Sequence, residues 1–267
     1  MITEWMVTGD CHQNFSRFDN YEESFKNDPN AAVIILGDAG FNFFLDERDD
    51  FVKDWFSEVY KFSVYCVRGN HEARPQDVPG MITMYDDNVD GIVYYQPRWP
   101  RIRYFQDIGT YFIDRHSVGV IGGAYSVDKF WRLAHHAPWF ENEQLSKEEQ
   151  LEAFKEFPVG CHRDFMFTHT CPLEWEPTDL FLSGIDQSKV DKSMEEFLDN
   201  LRQTIDVGVW CFGHYHADRL ERPRVEQFYK DSDYLQAIWN RWHGEKTIDK
   251  EWWLVKSPNY YMEESHD

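Results

Sequence analysis

The chain is short of basic residues: 27 Lys and Arg stand against 48 Asp and Glu, a formal net charge of −21 at pH 7. A field this negative repels extended polyanions, which argues against long nucleic acid as a partner. The acid is scattered through stretches such as 46–50 and 141–156, the pattern of a solvated helical surface. Cysteine is sparse too. Cys11, Cys66, Cys161, Cys171 and Cys211 are odd in number and form no C-x2-C pair, so free thiols in a reducing compartment are favoured over disulfides or a thiolate zinc site. No apolar run approaches the roughly 18 residues of a membrane span, and Met1 to Trp5 offers no basic n-region or apolar h-region. The expectation is a soluble, cytoplasmic protein without a membrane partner. No Pro/Gly/Ser linker or internal repeat divides the 267 residues, a length that can bury a sizeable core. Residues 1–267 therefore read as a single domain, with 217–267 an aromatic-rich C-terminal extension packed on it. Its tryptophans, Trp239, Trp242, Trp252 and Trp253, suit packing over the core better than binding a ligand.

What the chain does have is five short apolar runs, each ending on a polar residue of metal-ligand type. Trp5 to Thr8 leads into GDCH, Val33 to Leu36 into GDAG, and Val64 to Val67 into Arg68 and GNHE. Phe165 to Phe167 leads into THT, and Val209 to Phe212 into GHYH. Runs that are continuous, β-rich and apolar read as strands buried on both faces. In open α/β sheets, ligands gather outside the carboxyl ends of such strands. Glycine before Asp10, Asp38, Asn70 and His214 suits a chain that turns sharply where a Cβ would be in the way. Helical patterns over 14–27 and 47–60 follow strands, giving βαβ units and a parallel sheet; in the second, Phe51, Val52, Trp55, Phe56, Val59 and Tyr60 recur at helical spacing. Val190, Met194, Phe197, Leu198, Leu201 and Ile205 mark a further amphipathic helix. Gly91 to Tyr95, Tyr111 to Asp114 and Ser117 to Ile121 read as antiparallel strands.

The series D-x-H, GD, GNH[ED], H and G-H-x-H, over roughly residues 5 to 216, resembles the calcineurin-like metallophosphoesterases, and GHYH is similar to their broad bacterial and phage-type group. The resemblance implies an α/β fold, a two-sheet α/β/β/α sandwich, with the alternating segments after Gly91 forming the second sheet. It implies metal-dependent phosphoester hydrolysis by a hydroxide that a binuclear centre activates, with a histidine as general acid. Asp10, His12, Asp38 and His216 would hold one divalent ion, and Asp38, Asn70, His169 and His214 the other, Asp38 bridging. A donor set of imidazole, carboxylate and amide oxygen suits two divalent transition-metal ions, Mn, Fe or Zn, over Mg. His71 matches the family's catalytic histidine, and an imidazole titrating near neutrality suits proton donation.

Three further residues are candidates for substrate contact. Arg68 and Arg74 flank GNHE, where a guanidinium fork would grip phosphate or pair with local acid. Tyr125 lies in the glycine-led segment Gly122 to Lys129, which suits a substrate loop or a plain turn. Cys11, between two ligand residues, reads as a small filler. The charge, the lack of a basic stripe and the aromatics Tyr94, Tyr95, Trp131, Trp139 and Trp175 point to a small phosphoester or nucleotide in a compact pocket. Alternatives are a serine/threonine protein phosphatase-like enzyme, whose Asp-Arg-Gly is here replaced by Phe41-Asn42-Phe43, and a non-catalytic metal-binding scaffold of the same fold.

Overall fold

The computed structural model describes residues 1–222 and 224–243. Its strands are β1 (Glu4–Thr8), β2 (Ala31–Leu36), β3 (Ser63–Val67), β4 (Ile82–Asp86), β5 (Gly91–Tyr95), β6 (Ile102–Phe105), β7 (Ile108–Ile113), β8 (His116–Ile121), β9 (His162–Thr168), β10 (Asp206–Phe212), β11 (Arg219–Arg222), β12 (Val225–Gln227) and β13 (Ser232–Tyr234). The helices are α1 (Glu23–Lys26), α2 (Glu47–Val59), α3 (Lys129–Ala134), α4 (Lys147–Glu156), α5 (Ser193–Arg202) and α6 (Leu235–His243). One sheet runs β13-β1-β2-β3-β6-β5-β4 and the other β11-β12-β10-β9-β8-β7. β1, β2, β3 and β6 are parallel in the first, and β12, β10, β9 and β8 in the second. The five apolar runs are thus the centres of two sheets.

Why two sheets form four layers is visible in the alternation along each strand. In β2, Ala32, Ile34 and Leu36 enter the core between the sheets, while Ala31, Val33 and Ile35 face outward onto Phe18, Phe25 and Phe56. In β10, Val209 and Cys211 face inward, and Trp210 and Phe212 meet Met194 and Leu198 of α5. A strand apolar on both sides must be covered on both sides. The result is the α/β/β/α sandwich.

The structure corrects four details. Residues 14–27 form no continuous helix but a 3-10 turn, Ser16–Asn20, followed by α1. Phe15, Phe18 and Tyr21 recur every third residue, the period of that turn, and the Asn14 side chain accepts from Ser16 N at 3.1 Å. In α2 the buried face is Asp49, Lys53 and Phe56, not the whole apolar stripe. Asp49 has main-chain partners, accepting from Phe44 N and Leu45 N, and Lys53 donates to Gln96. Phe51 is left 72% exposed. Phe51→Ser is therefore expected to change stability by less than about 0.5 kcal/mol in urea unfolding; a loss above about 1.5 kcal/mol would mean that the core face had been misplaced.

Third, β5 belongs to the first sheet, hydrogen-bonded to β6, and only β7 and β8 extend the second. Fourth, the described part of the C-terminal segment contributes strands to both sheets: β11 and β12 edge the second and β13 the first. Trp239 and Trp242 pack against the inter-sheet core, whereas Trp252 and Trp253 lie outside the described residues. All five cysteines are free, four of them buried. Among the described residues no helix is long and apolar enough to cross a membrane.

Candidate active site

The carboxyl ends of β1, β2, β3, β9 and β10 converge, and the residues that follow them meet in one cluster. Three groups of potential ligand atoms overlap there: Asp10, His12 and His216; Asp10, Asp38 and His169; and His12, Asp38 and His71, each within 4.8 Å. Asp38 Oδ2 stands 3.4 Å from His169 Nε2, 3.7 Å from His71 Nδ1 and 3.8 Å from His12 Nε2. On the other flank, His216 Nε2 is 3.2 Å from Asp10 Oδ2 and 2.9 Å from His12 Nε2. Asn70 Oδ1 is 2.9 Å from His169 Nε2. His214 lies at the edge of this cluster, its ring 4.9 Å from that of His169 and its main-chain N–H donated to Asp10 Oδ1 at 2.9 Å.

This convergence demands unusual backbone. His12, Asp38, His214 and His216 all have positive φ, between 46° and 69°, a region that costs L-residues energy and that clusters at functional sites. The glycines before the ligands serve close approach as much as turning. A Cβ on Gly37, itself at φ +98°, would sit 1.9 Å from His169 Nδ1, and one on Gly69 would sit 1.9 Å from Asp38 Oδ1.

Around the cluster a second set of contacts aims the side chains. His169 Nδ1 faces Leu36 O at 2.9 Å, so its N–H is used there and Nε2 is turned to Asp38 and Asn70. Asn70 donates its amide to Ser126 Oγ (2.8 Å), and Ser126 in turn donates to buried Glu143. Glu72 accepts from Gly40 N and Tyr104 OH, binding the GDAG loop to the GNHE loop; burial and the nearby Asp38 push its carboxyl up to about 7. Arg17 holds the main chain of β1's end, donating to Asp10 O at 2.5 Å. Tyr229 stacks on His216 with centroids 4.6 Å apart.

Charge follows from this crowding. Burial alone would raise Asp10 and Asp38, yet His169 and the other imidazoles hold both carboxyls well below the usual range. His169, which burial would neutralise, is pushed up to about 9 by Asp38 and Asp10. Desolvation and the His169 charge push His214 down to about 3. An imidazolium thus balances two buried carboxylates, and a divalent ion ligated by His169 must release its proton.

Residues 5–218 match the family described as Calcineurin-like phosphoesterase. The chain belongs to that family. No curated protein shows significant sequence similarity to it. Metal-dependent phosphoester hydrolysis is the chemistry of the calcineurin-like phosphoesterases, with divalent ions as cofactor. The residues present fit such ions. Asp10 Oδ2 is buried with no well-aligned hydrogen bond among the described residues, His216 Nε2 standing 3.2 Å away, and His12 and His216 turn ring nitrogens toward each other beside it, an arrangement that suits ligands sharing a cation better than hydrogen bonding.

The structure does not offer Arg68 or Arg74 to substrate. Arg68 is buried, donating to Asp107 Oδ1 and to the carbonyls of Gly69 and Glu143. Arg74, also buried, binds Asn142 O, Gln144 O and Glu149. Both are struts that fasten the 142–149 segment to the GNHE loop. Tyr125 is largely buried, its ring 5.9 Å from the Lys129 ammonium, which leaves little of it to meet a ligand. Nor do the aromatics form one wall: Tyr94 packs against the outer core of the first sheet and Trp175 against Trp210.

Sequence reasoning missed Arg17, Asp128, Arg132, Glu143 and Tyr229. Arg132 stands only three residues beyond the glycine-led segment, yet nothing in its neighbours signals that it reaches His71. Its Nη2 is 3.2 Å from Nε2 and 3.3 Å from Nδ1 of that ring. Asp128, 3.7 Å from His71 Nε2 through Oδ1, accepts from Arg132 Nε through Oδ2. Burial would raise its carboxyl, but His71 and Arg132 hold it well below the usual range.

Proposed function

We propose that this chain hydrolyses small phosphoesters or nucleotides at a two-metal centre, with His71 giving the proton to the leaving oxygen. The observation that carries the reading is Asp38 Oδ2, set among nitrogens of His12, His71 and His169, where one carboxylate can serve two ions. Asp10, His12, Asp38 and His216 would hold the first ion, and Asp38, Asn70, His169 and His214 the second. Bound there, divalent transition metals such as Mn, Fe or Zn supply positive charge to phosphoryl oxygens and lower the pKa of water.

The chain's own residues do the rest. Ser126 and Glu143 orient Asn70, Leu36 O fixes the tautomer of His169, and the main-chain N–H of His71 anchors Asp38 Oδ1 at 2.8 Å. The His71 ring keeps one-fifth of its surface exposed, so a leaving group can reach it. A small substrate accords with the net charge of −21, which disfavours polyanions.

The test is turnover of p-nitrophenyl phosphate and its bis ester by purified protein with Mn(II). Hydrolysis of either is the expected outcome; a protein that binds metal but turns over no phosphoester would favour the scaffold alternative. Comparing mononucleotides, cyclic nucleotides and dinucleotides with oligonucleotides and phosphoproteins decides size, and a preference for the last two would overturn the small-substrate reading.

A further inference from the structure

We propose that Arg132 binds a non-bridging oxygen of the substrate's phosphoryl group, positioned for it by Asp128 and the carbonyl of Pro138. This rests on the phosphoester reading above and adds to it the residue that recognises the phosphate.

α3, which carries Arg132, buries none of its six residues. Phe130, Trp131 and Leu133 are largely exposed, so apolar packing does not explain why this helix lies beside the cluster. The side chain that turns inward is Arg132, 11% exposed. Two anchors lock it: Nε donates to Asp128 Oδ2 at 2.8 Å and Nη1 to Pro138 O at 3.1 Å. The Phe43 ring lies 5.6 Å from the guanidinium carbon. Phe43 stands in the Phe41-Asn42-Phe43 stretch that follows the GD motif.

Nη2 is what remains, and it faces both nitrogens of His71 at 3.2 and 3.3 Å. It carries two N–H groups, whereas a neutral imidazole has one acceptor nitrogen. At least one N–H is therefore left without an acceptor among the described residues, next to the ligand groups. The bland reading is an ion pair between Arg132 and Asp128, four residues apart on one helix. Such pairs are worth a few tenths of a kcal/mol when exposed and need no side chain withdrawn from water.

The neighbouring guanidinium groups are buried or turned to the main chain. Arg68 and Arg74 are buried against acid and carbonyls, and Arg17 donates to the carbonyls of Asp10 and Tyr229. A phosphoryl group held by ions at Asp38, with its leaving oxygen taking a proton from His71, must lie beside both, and the Arg132 guanidinium is in contact with His71. A guanidinium edge matches phosphoryl oxygens, and its hydrogen bonds to them are charge-assisted. Asp128 spans the two, with one oxygen on Arg132 and the other toward His71.

The experiment compares Mn(II)-loaded wild-type, R132A, R132K and D128N proteins, measuring kcat and KM on p-nitrophenyl phosphate, the inhibition constant of inorganic phosphate, and metal content. R132A is expected to raise KM and the phosphate inhibition constant together by about 10- to 100-fold, the worth of one charged hydrogen bond, with metal content unchanged. Guanidinium chloride should restore part of the loss. R132K keeps charge without the fork and should recover only a fraction, while D128N, which removes one anchor, should weaken phosphate by a smaller factor. If R132A does not fold, R132K and D128N carry the test. Unchanged KM and phosphate inhibition, with metal intact, would overturn the proposal. Should the wild type hydrolyse no phosphoester, the functional reading fails first, and calorimetric binding of inorganic phosphate to wild type and R132A still decides the role of Arg132.

Discussion

Asp38→Asn is expected to lose both metal and activity, whereas His71→Asn should keep its metal and lose activity alone. Asp38 belongs to two of the three ligand groups, and its Oδ1 is already used by the main-chain N–H of His71, so Oδ2 is the oxygen free for ions. An amide there removes the negative charge that holds a divalent ion between imidazoles. Rate should fall by at least about 10³-fold, since the charge stabilisation lost is several kcal/mol. His71→Asn removes a proton donor, for which a loss of about 10²- to 10⁴-fold is the usual range. Elemental analysis alongside kcat separates the two. His71 Nδ1 is 3.7 Å from Asp38 Oδ2, close enough that ligation is the rival role. Equal loss of metal in both variants would put His71 among the ligands and sink its assignment as acid.

Gly37→Ala is expected to destabilise the fold by about 2–5 kcal/mol, combining backbone strain with overpacking, and to weaken metal binding with it. At φ +98° an L-residue is strained, and the new methyl carbon would lie 1.9 Å from His169 Nδ1. His169 is fully buried and bonded to Leu36 O, so it has nowhere to retreat without giving up the direction of Nε2. Gly160→Ala is the control. Its φ is +79° and a Cβ there meets nothing within 4 Å, so it carries strain alone, about 1–2 kcal/mol. Urea unfolding of both, with Mn(II) titration, is the measurement. If Gly37→Ala costs no more than Gly160→Ala and binds Mn(II) as the wild type does, close packing against His169 is not why that glycine is there.

The sequence by itself determined the strands and what stands at their ends. Each run such as Val33 to Leu36 is apolar on both faces, and four of the five stop at a glycine before a ligand residue, a signal contained in about eight consecutive residues, so no knowledge of the rest of the chain is needed to see it. Parallel pairing then brings those ends to one edge, because crossovers like the one through α2 return each strand in the same direction. The order of the motifs was enough for the family, the sandwich and the grouping of Asp10, His12, Asp38, Asn70, His169 and His216.

What only the tertiary structure decided is which partner each polar side chain finds. Arg68 and Arg74 look available beside GNHE, but their acceptors Asp107, Glu143 and Glu149 lie 39 to 75 residues away. Asp49, in the 46–50 stretch, reads as part of a solvated face until Phe44 N and Leu45 N meet it. β5 alternates like a strand of either sheet, and its pairing with β6 settles which. Arg132 is 61 residues from His71, and no period or motif joins them. Apolar burial is set by a pattern along the chain, whereas a hydrogen bond or an ion pair is set by distance and angle between two particular groups, and those exist only once the chain has closed.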